Sequence, residues 1–145
     1  MKRNLAYMFI SILIYAASGI LYAQSNEENS VRTSLNSIME LSKGKSYTKL
    51  ATLIAYKGSD KSREFKTTYD PTDKNEINEV QRIGKKIAAL INLSDGYKID
   101  KLESTKINGL PGYNITVGFS SGSQTLSTNF EFIKLPKGYV LYDMN

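Results

Sequence analysis

Up to Asn92 the apolar residues recur at helical spacing, and from Tyr97 onward they alternate with polar ones. The chain changes period once, at Ser94-Asp95-Gly96. Ser25 and Glu28 stand at capping-box spacing, and Val31, Leu35, Ile38 and Met39 follow on one face, which predicts a first helix running to about Ser42 and ended by Gly44. Ser46 is placed to cap a second helix with Tyr47, Leu50, Leu53 and Ile54 on its apolar face and Gly58 as its stop. The polar stretch Ser59–Thr72 reads as a loop anchored by Phe65 and Tyr69, with one short strand or helical turn around Phe65. Asp73 and Glu76 repeat the capping spacing. Ile77, Val80, Ile83, Ile87, Leu90 and Ile91 then line one face of a third helix reaching Asn92.

In the second half, Tyr97 and Ile99 open a strand that continues to Ile107. Asn108-Gly109 is a hairpin signal, which Pro111-Gly112 is expected to lengthen beyond two residues. Tyr113, Ile115, Val117 and Phe119 alternate with polar neighbours, and after "SSGS" so do Leu126, Thr128, Phe130 and Phe132. "LPKG" turns the chain once more into "YVLYD". Helices followed by an antiparallel meander predict an α+β domain: three N-terminal helices packed on one face of a curved four-stranded sheet. The opposite face would carry Lys98, Asp100, Asn114, Thr116, Thr125, Ser127, Asn129 and Glu131, with only the last strand offering apolar groups on both sides. So polar a face argues for a monomer or a weak dimer.

The first residues follow another pattern. Lys2 and Arg3 precede Leu5–Ala23, which is apolar or small and carries no charge. This is the layout of a secretory signal peptide cut after Ala23, leaving residues 24–145 as a single periplasmic or secreted domain. An uncleaved membrane anchor is the alternative, since the segment is just long enough to span a bilayer. With no cysteine in the chain, the protein is not a lipoprotein and holds neither disulfides nor thiolate metal sites. Absent cysteine and a short signal suggest a bacterial envelope or secreted protein, in which the sequons at Asn92 and Asn114 read as chance matches.

Composition mainly removes possibilities. Histidine is absent, which excludes Ser-His-Asp and Cys-His chemistry and the ordinary zinc sites. The formal net charge of +5 is mild. The basic residues from Lys43 to Lys66 are interleaved with Asp60 and Glu64, a solvated face more than a nucleic-acid footprint. Gly44-Lys45-Ser46 lacks the glycine five residues upstream that a phosphate loop needs, where the chain has Met39. Glu76 and Glu79, one helical turn apart, and Asp70 with Asp73 are explained by capping and solvent exposure. No calcium-loop pattern occurs. No metal or cofactor is expected.

The one compositional accent is aromatic: 10 tyrosines and 5 phenylalanines without a tryptophan. Tyr47, Tyr69, Tyr97, Tyr113, Phe119, Phe130 and Phe132 are the candidates to line a pocket between helices and sheet, with phenol hydroxyls as its polar groups. The simpler role for the strand members is core packing.

The element order and the ending "NFEFIKLPKGYVLYDMN" resemble small exported members of the nuclear-transport-factor-2-like superfamily, the cone fold of the ketosteroid-isomerase-like proteins. The features that carry the resemblance are Phe130, Phe132, Lys137, Gly138, Tyr139 and Asp143. A weaker resemblance links "INGLPGY", Ile107 to Tyr113, with photosystem-accessory-like exported domains. The cone resemblance implies a sheet wrapped around helices and, in the enzymes of that superfamily, a catalytic carboxylate beside a tyrosine; those motifs have no counterpart here. The expected function is therefore a non-enzymatic binding domain for a small apolar ligand or an exported protein partner. An isomerase- or hydrolase-type enzyme and an immunity-type interaction module are the alternatives.

Overall fold

The computed structural model describes residues 24–145. The expected signal peptide and its cut after Ala23 lie outside the described residues. The chain divides into a unit Met1–Ser30 and a unit Val31–Asn145. In the first, residues 24–30 are helical and mostly exposed, and Gln24 Nε2 donates to Glu28 Oε1 at 3.5 Å. Ser25 is inside this helix and is not the cap that its spacing suggests.

In the second unit, helices α1 (31–43), α2 (Tyr47–Ala51) and α3 (Lys74–Asn92) precede strands β1 (Gly96–Ile107), β2 (Leu110–Ser121), β3 (Gln124–Leu135) and β4 (Gly138–Met144). The strands form one antiparallel sheet in the order β1-β2-β3-β4, and the helices pack on one face of it, the α+β arrangement that the change of period predicts. Helix α3 begins as expected: the Asp73 carboxylate accepts from the backbone N–H of Asn75 at 2.8 Å and of Glu76 at 3.1 Å. Helix α1 ends where Gly44 N–H reaches Glu40 O and Ser46 N–H reaches Leu41 O, both at 2.9 Å. The left-handed residue of this ending is Lys45, with φ 55°, not Gly44.

Helix α2 is shorter than its apolar pattern suggests. It stops at Ala51, and Ser46 makes no side-chain cap. The next residues serve the sheet instead: Leu141 N–H donates to Leu53 O at 2.9 Å and Ala55 N–H to Leu141 O at 2.8 Å, a parallel bridge on the edge of β4. Ala55 also bridges to Thr68, and Phe65 sits in the turn between them with φ 60°. The backbone groups that a longer helix would have satisfied internally are used to close a strand edge.

Asn108 and Gly109, with φ 49° and 79°, are the two turn residues of the first hairpin, and pairing begins at Ile107 opposite Leu110. The connection is therefore not lengthened by Pro111. Ile107 and Leu110 form the hydrogen-bonded pair that closes the hairpin, so the nitrogen of Pro111 faces away from β1. On that other side, pairing with β3 starts only at Gly112. The proline costs the ladder nothing.

Directly opposed residues share a face of the sheet. Tyr113, Ile115, Val117 and Phe119 are matched with Phe132, Phe130, Thr128 and Leu126 on the helix side. There they meet Val31, Leu35 and Ile38 of α1, Leu50 of α2, and Val80 and Ile87 of α3 in the main core. The outer face is polar over most of its length, but its hairpin end is not. Ile133, Leu135 and Val140 are buried with Ala55 in a second small core, against which Phe65, Ile107, Leu110 and Tyr142 pack. The expectation that only the last strand carries apolar groups outward is corrected by these β3 and hairpin residues.

Candidate functional site

The seven candidate aromatics separate into different surroundings. Phe130 and Phe132 are 0 % exposed and belong to the main core, as does Tyr113 at 3 %. They pack the helix–sheet interface, and none of the three lines the hollows described below. Tyr47 lies over Gly84 of α3, where an added Cβ would come within 3.0 Å of its Cε1. Tyr97, half exposed on β1, has its ring 5.8 Å from that of Phe119. Phe119 reaches a groove at the end of α3, and Tyr69 reaches a separate cleft.

That cleft has a mixed lining. Its volume is about 400 Å³, and it lies between α3, the chain leaving α2 and the end of β4. Ile54, Ile83 and Leu141 supply its apolar surface. Lys57, Glu79, Arg82, Lys86 and Asp143 supply its charges, with Tyr69 between them. The bridge from Leu53–Ala55 to Leu141 positions Ile54 and Lys57 beside β4. Tyr142 is the extra residue of a bulge that shifts the β3–β4 register between Glu131 and Phe132. A second hollow of about 410 Å³ shares Lys57, Tyr69 and Glu79 and continues toward Tyr56, Gly58 and Glu76.

Most charges around the cleft are already paired. Lys57 Nζ lies 3.3 Å from Asp143 Oδ1 and 4.5 Å from the centre of the Tyr142 ring. Arg82 pairs with Glu79 one turn away. Lys86 has no ion pair among the described residues, so the cleft carries a surplus cation.

Beneath it lies an ordered polar network. Arg63 grips Glu76 with both terminal nitrogens, at 2.5 and 3.1 Å, donates to Thr68 O at 3.1 Å, and stacks 4.0 Å from the centre of the Tyr56 ring. Hydrogen bonding to Glu76 is the largest reason that the Arg63 guanidinium is held protonated even beyond its ordinary range. Glu76 also accepts from Asp70 N–H at 2.5 Å. Glu76 therefore reaches back from the first turn of α3, but to Asp70 and not to Asp73 as a capping box would require. The Asp70 carboxyl is in turn held below its ordinary value, first by the Thr72 N–H and then by the Thr72 hydroxyl, at 2.8 and 2.7 Å.

Tyr69, 5 % exposed, ties network to cleft. Burial pushes its phenol up from the ordinary value. A hydrogen bond from the Lys57 backbone opposes the shift, and the carboxylates of Glu79 and Glu76 reinforce it. An unfolded phenol ionises near pH ~10. Above that pH the folded chain keeps a proton that the unfolded chain has lost, so stability falls as pH rises toward the folded value. Tyr69→Phe should lessen the alkaline fall in urea midpoint between about pH 9.5 and 11; an unaltered slope would remove Tyr69 from this account.

Sequence reasoning found Tyr69 through its aromatic character but missed Lys57, Arg82, Lys86 and Asp143. They come from three separate segments, and no spacing marks them. Gly84, a glycine inside an amphipathic helix, marks the close approach of Tyr47 and Leu50 of α2 and not these charges. Comparison of the chain with family models, curated proteins and solved structures finds no match in any of the three.

Proposed function

We propose that this is an exported, non-enzymatic binding domain that holds a small apolar ligand with a carboxylate head in the cleft between α3 and the end of β4. The observation that carries the reading is the combination of an apolar surface, Ile54, Ile83 and Leu141, with a rim on which Lys86 is the surplus cation. An apolar body would cover the floor and a carboxylate would meet Lys86. The volume, about 400 Å³, suits a small molecule. Binding is favoured over acid–base catalysis because the local carboxylates are engaged: Glu76 by Arg63 and the Asp70 N–H, Glu79 by Arg82, and Asp143 by Lys57. The order of elements supports membership of the nuclear-transport-factor-2-like superfamily. The polar outer face supports a monomer.

Octanoate, titrated into the isotope-labelled protein, is the probe. It should shift the amide signals of Lys57, Ile83 and Asp143, and Lys86→Glu should weaken its binding about tenfold by replacing an attractive charge with a repulsive one. Shifts confined to other parts of the molecule, or equal binding by the variant, would overturn the reading.

A further inference from the structure

A second binding surface lies elsewhere, where β3 runs past the end of β4. Phe130 pairs with Met144, and Asn129 exchanges both backbone hydrogen bonds with Asn145, at 2.7 and 3.1 Å. Gln124–Thr128 therefore pairs with β2 on one side and, among the described residues, with no strand on the other. Alternation along an antiparallel ladder fixes which groups face the open side. Because Asn129 directs its N–H and C=O toward β4, so do Ser127 and Thr125. Leu126 and Thr128 direct theirs toward β2. Four backbone groups in line with β4 are thus left facing solvent, and residues 121–127 are exposed throughout.

Beside this edge is a groove of about 470 Å³ in which Leu90 and Leu93, from the end of α3, face Phe119 and Leu126. Leu93 is 78 % exposed and Leu126 58 %; with Tyr97 they are the exposed large apolar residues among those described. All three gather at this end of the molecule, where Tyr97 stacks on Phe119.

Among the described residues, the two free edges of the sheet are built differently. On β1, Lys98, Lys101 and Lys106 and a bulge between Ile99 and Lys101 guard against strand addition. From Phe119 through Phe130 the chain contains no charge and no proline. The edge that has the apolar groove is the one without guards.

We infer that Gln124–Thr128 is a docking edge for a short, uncharged, extended peptide segment of another protein, which adds to the sheet in line with β4. Its residues opposite Thr125 and Ser127 would exchange backbone hydrogen bonds and point to the polar outer face. The residue opposite Leu126 would share the face of Leu126 and enter the groove, so the segment alternates polar and apolar. A second copy of the chain is a poorer occupant. The edge offers a strip about 17 Å long and about 10 Å wide, about 170 Å² on each partner, whereas a stable pairing of folded copies buries about 600–1,000 Å² on each.

The test uses a blocked peptide of alternating leucine and threonine with a terminal lysine for solubility, and the same peptide N-methylated at its threonines. The first should slow hydrogen exchange at the Thr125 and Ser127 amides. The second should bind more weakly by about three- to tenfold for each hydrogen bond lost. Ser127→Pro removes an outward donor that the β2 ladder does not use, and should weaken binding of the first peptide by a similar factor. If that variant does not fold, the peptide pair on the unaltered protein decides alone. Unchanged exchange at Thr125 and Ser127, or equal binding of the two peptides, overturns the inference. So does protection of the same amides that rises with protein concentration alone, together with a dimer in sedimentation, because the occupant would then be a second copy. Octanoate binding at the α3–β4 cleft is read from other residues, so either proposal can fail while the other stands.

Discussion

Phe130→Ala should destabilise the domain by about 3–5 kcal/mol, through lost burial together with the cavity left among neighbours that cannot fully collapse. Phe130 is 0 % exposed, sits opposite Ile115, and has its ring 6.5 Å from that of Phe119. The adjacent residue is the internal control. Glu131 lies on the outer face, across from Asn114 on one side and Asp143 on the other. Its removal also relieves a like-charge cross-strand pair, so Glu131→Ala should stay within about 0.5 kcal/mol. Urea unfolding of both variants measures the difference, and equal losses would mean that the facing of β3 is wrong.

The second large effect belongs to Glu76. Glu76→Ala takes its carboxylate partner from the Arg63 guanidinium, and the side chains of Arg63 and Glu76 are only 29 % and 14 % exposed; the exposed Asp70 N–H can turn to water instead. Loss of a partner in a partly desolvated pair should cost about 2–3 kcal/mol, less than for a fully buried one. Glu79→Ala, one turn along the same helix, removes a partner from an Arg82 side chain that is 73 % exposed. It should cost no more than about 0.5 kcal/mol. Equal effects by chemical denaturation would show that the Arg63–Glu76 contact is a surface ion pair like the other.

How much of this was legible in the sequence depends on whether side chains or backbone groups decide each element. Helix α3 was readable from Asp73 and its apolar stripe, the last turn from Pro136-Lys137-Gly138, and the position of the first turn, though not its length, from Asn108-Gly109, because there the residue types themselves select the conformation. The parity of β2 and β3 was readable for the same reason. The end of α2 was not. Leu53 and Ile54 continue its apolar face, but the backbone of Leu53–Ala55 is drawn to Leu141, and backbone pairing leaves no mark on residue type. The outer core around Ile133 and Leu135 was hidden likewise: alternation shows that these residues face outward, not that Ala55 and Phe65 come round to cover them. The cleft was the least legible part. The aromatic accent led to Tyr69 but otherwise mostly to packing positions, whereas the charges of the open site come from positions that only the fold brings together.

The bridge between Leu53–Ala55 and Leu141 also bears on the order in which the molecule assembles. The three hairpins of the sheet join neighbours in sequence and close short loops, so each can form early with little loss of chain entropy. The bridge joins the chain leaving α2 to the last strand, and it must wait until almost the whole chain between them, α3 and three strands, has condensed. Contacts of this kind are usually absent from the folding transition state. Weakening Ile54 should then accelerate unfolding while leaving the refolding rate nearly unchanged, so the seam that positions the cleft acts as a latch on the native state, holding it closed without helping to form it.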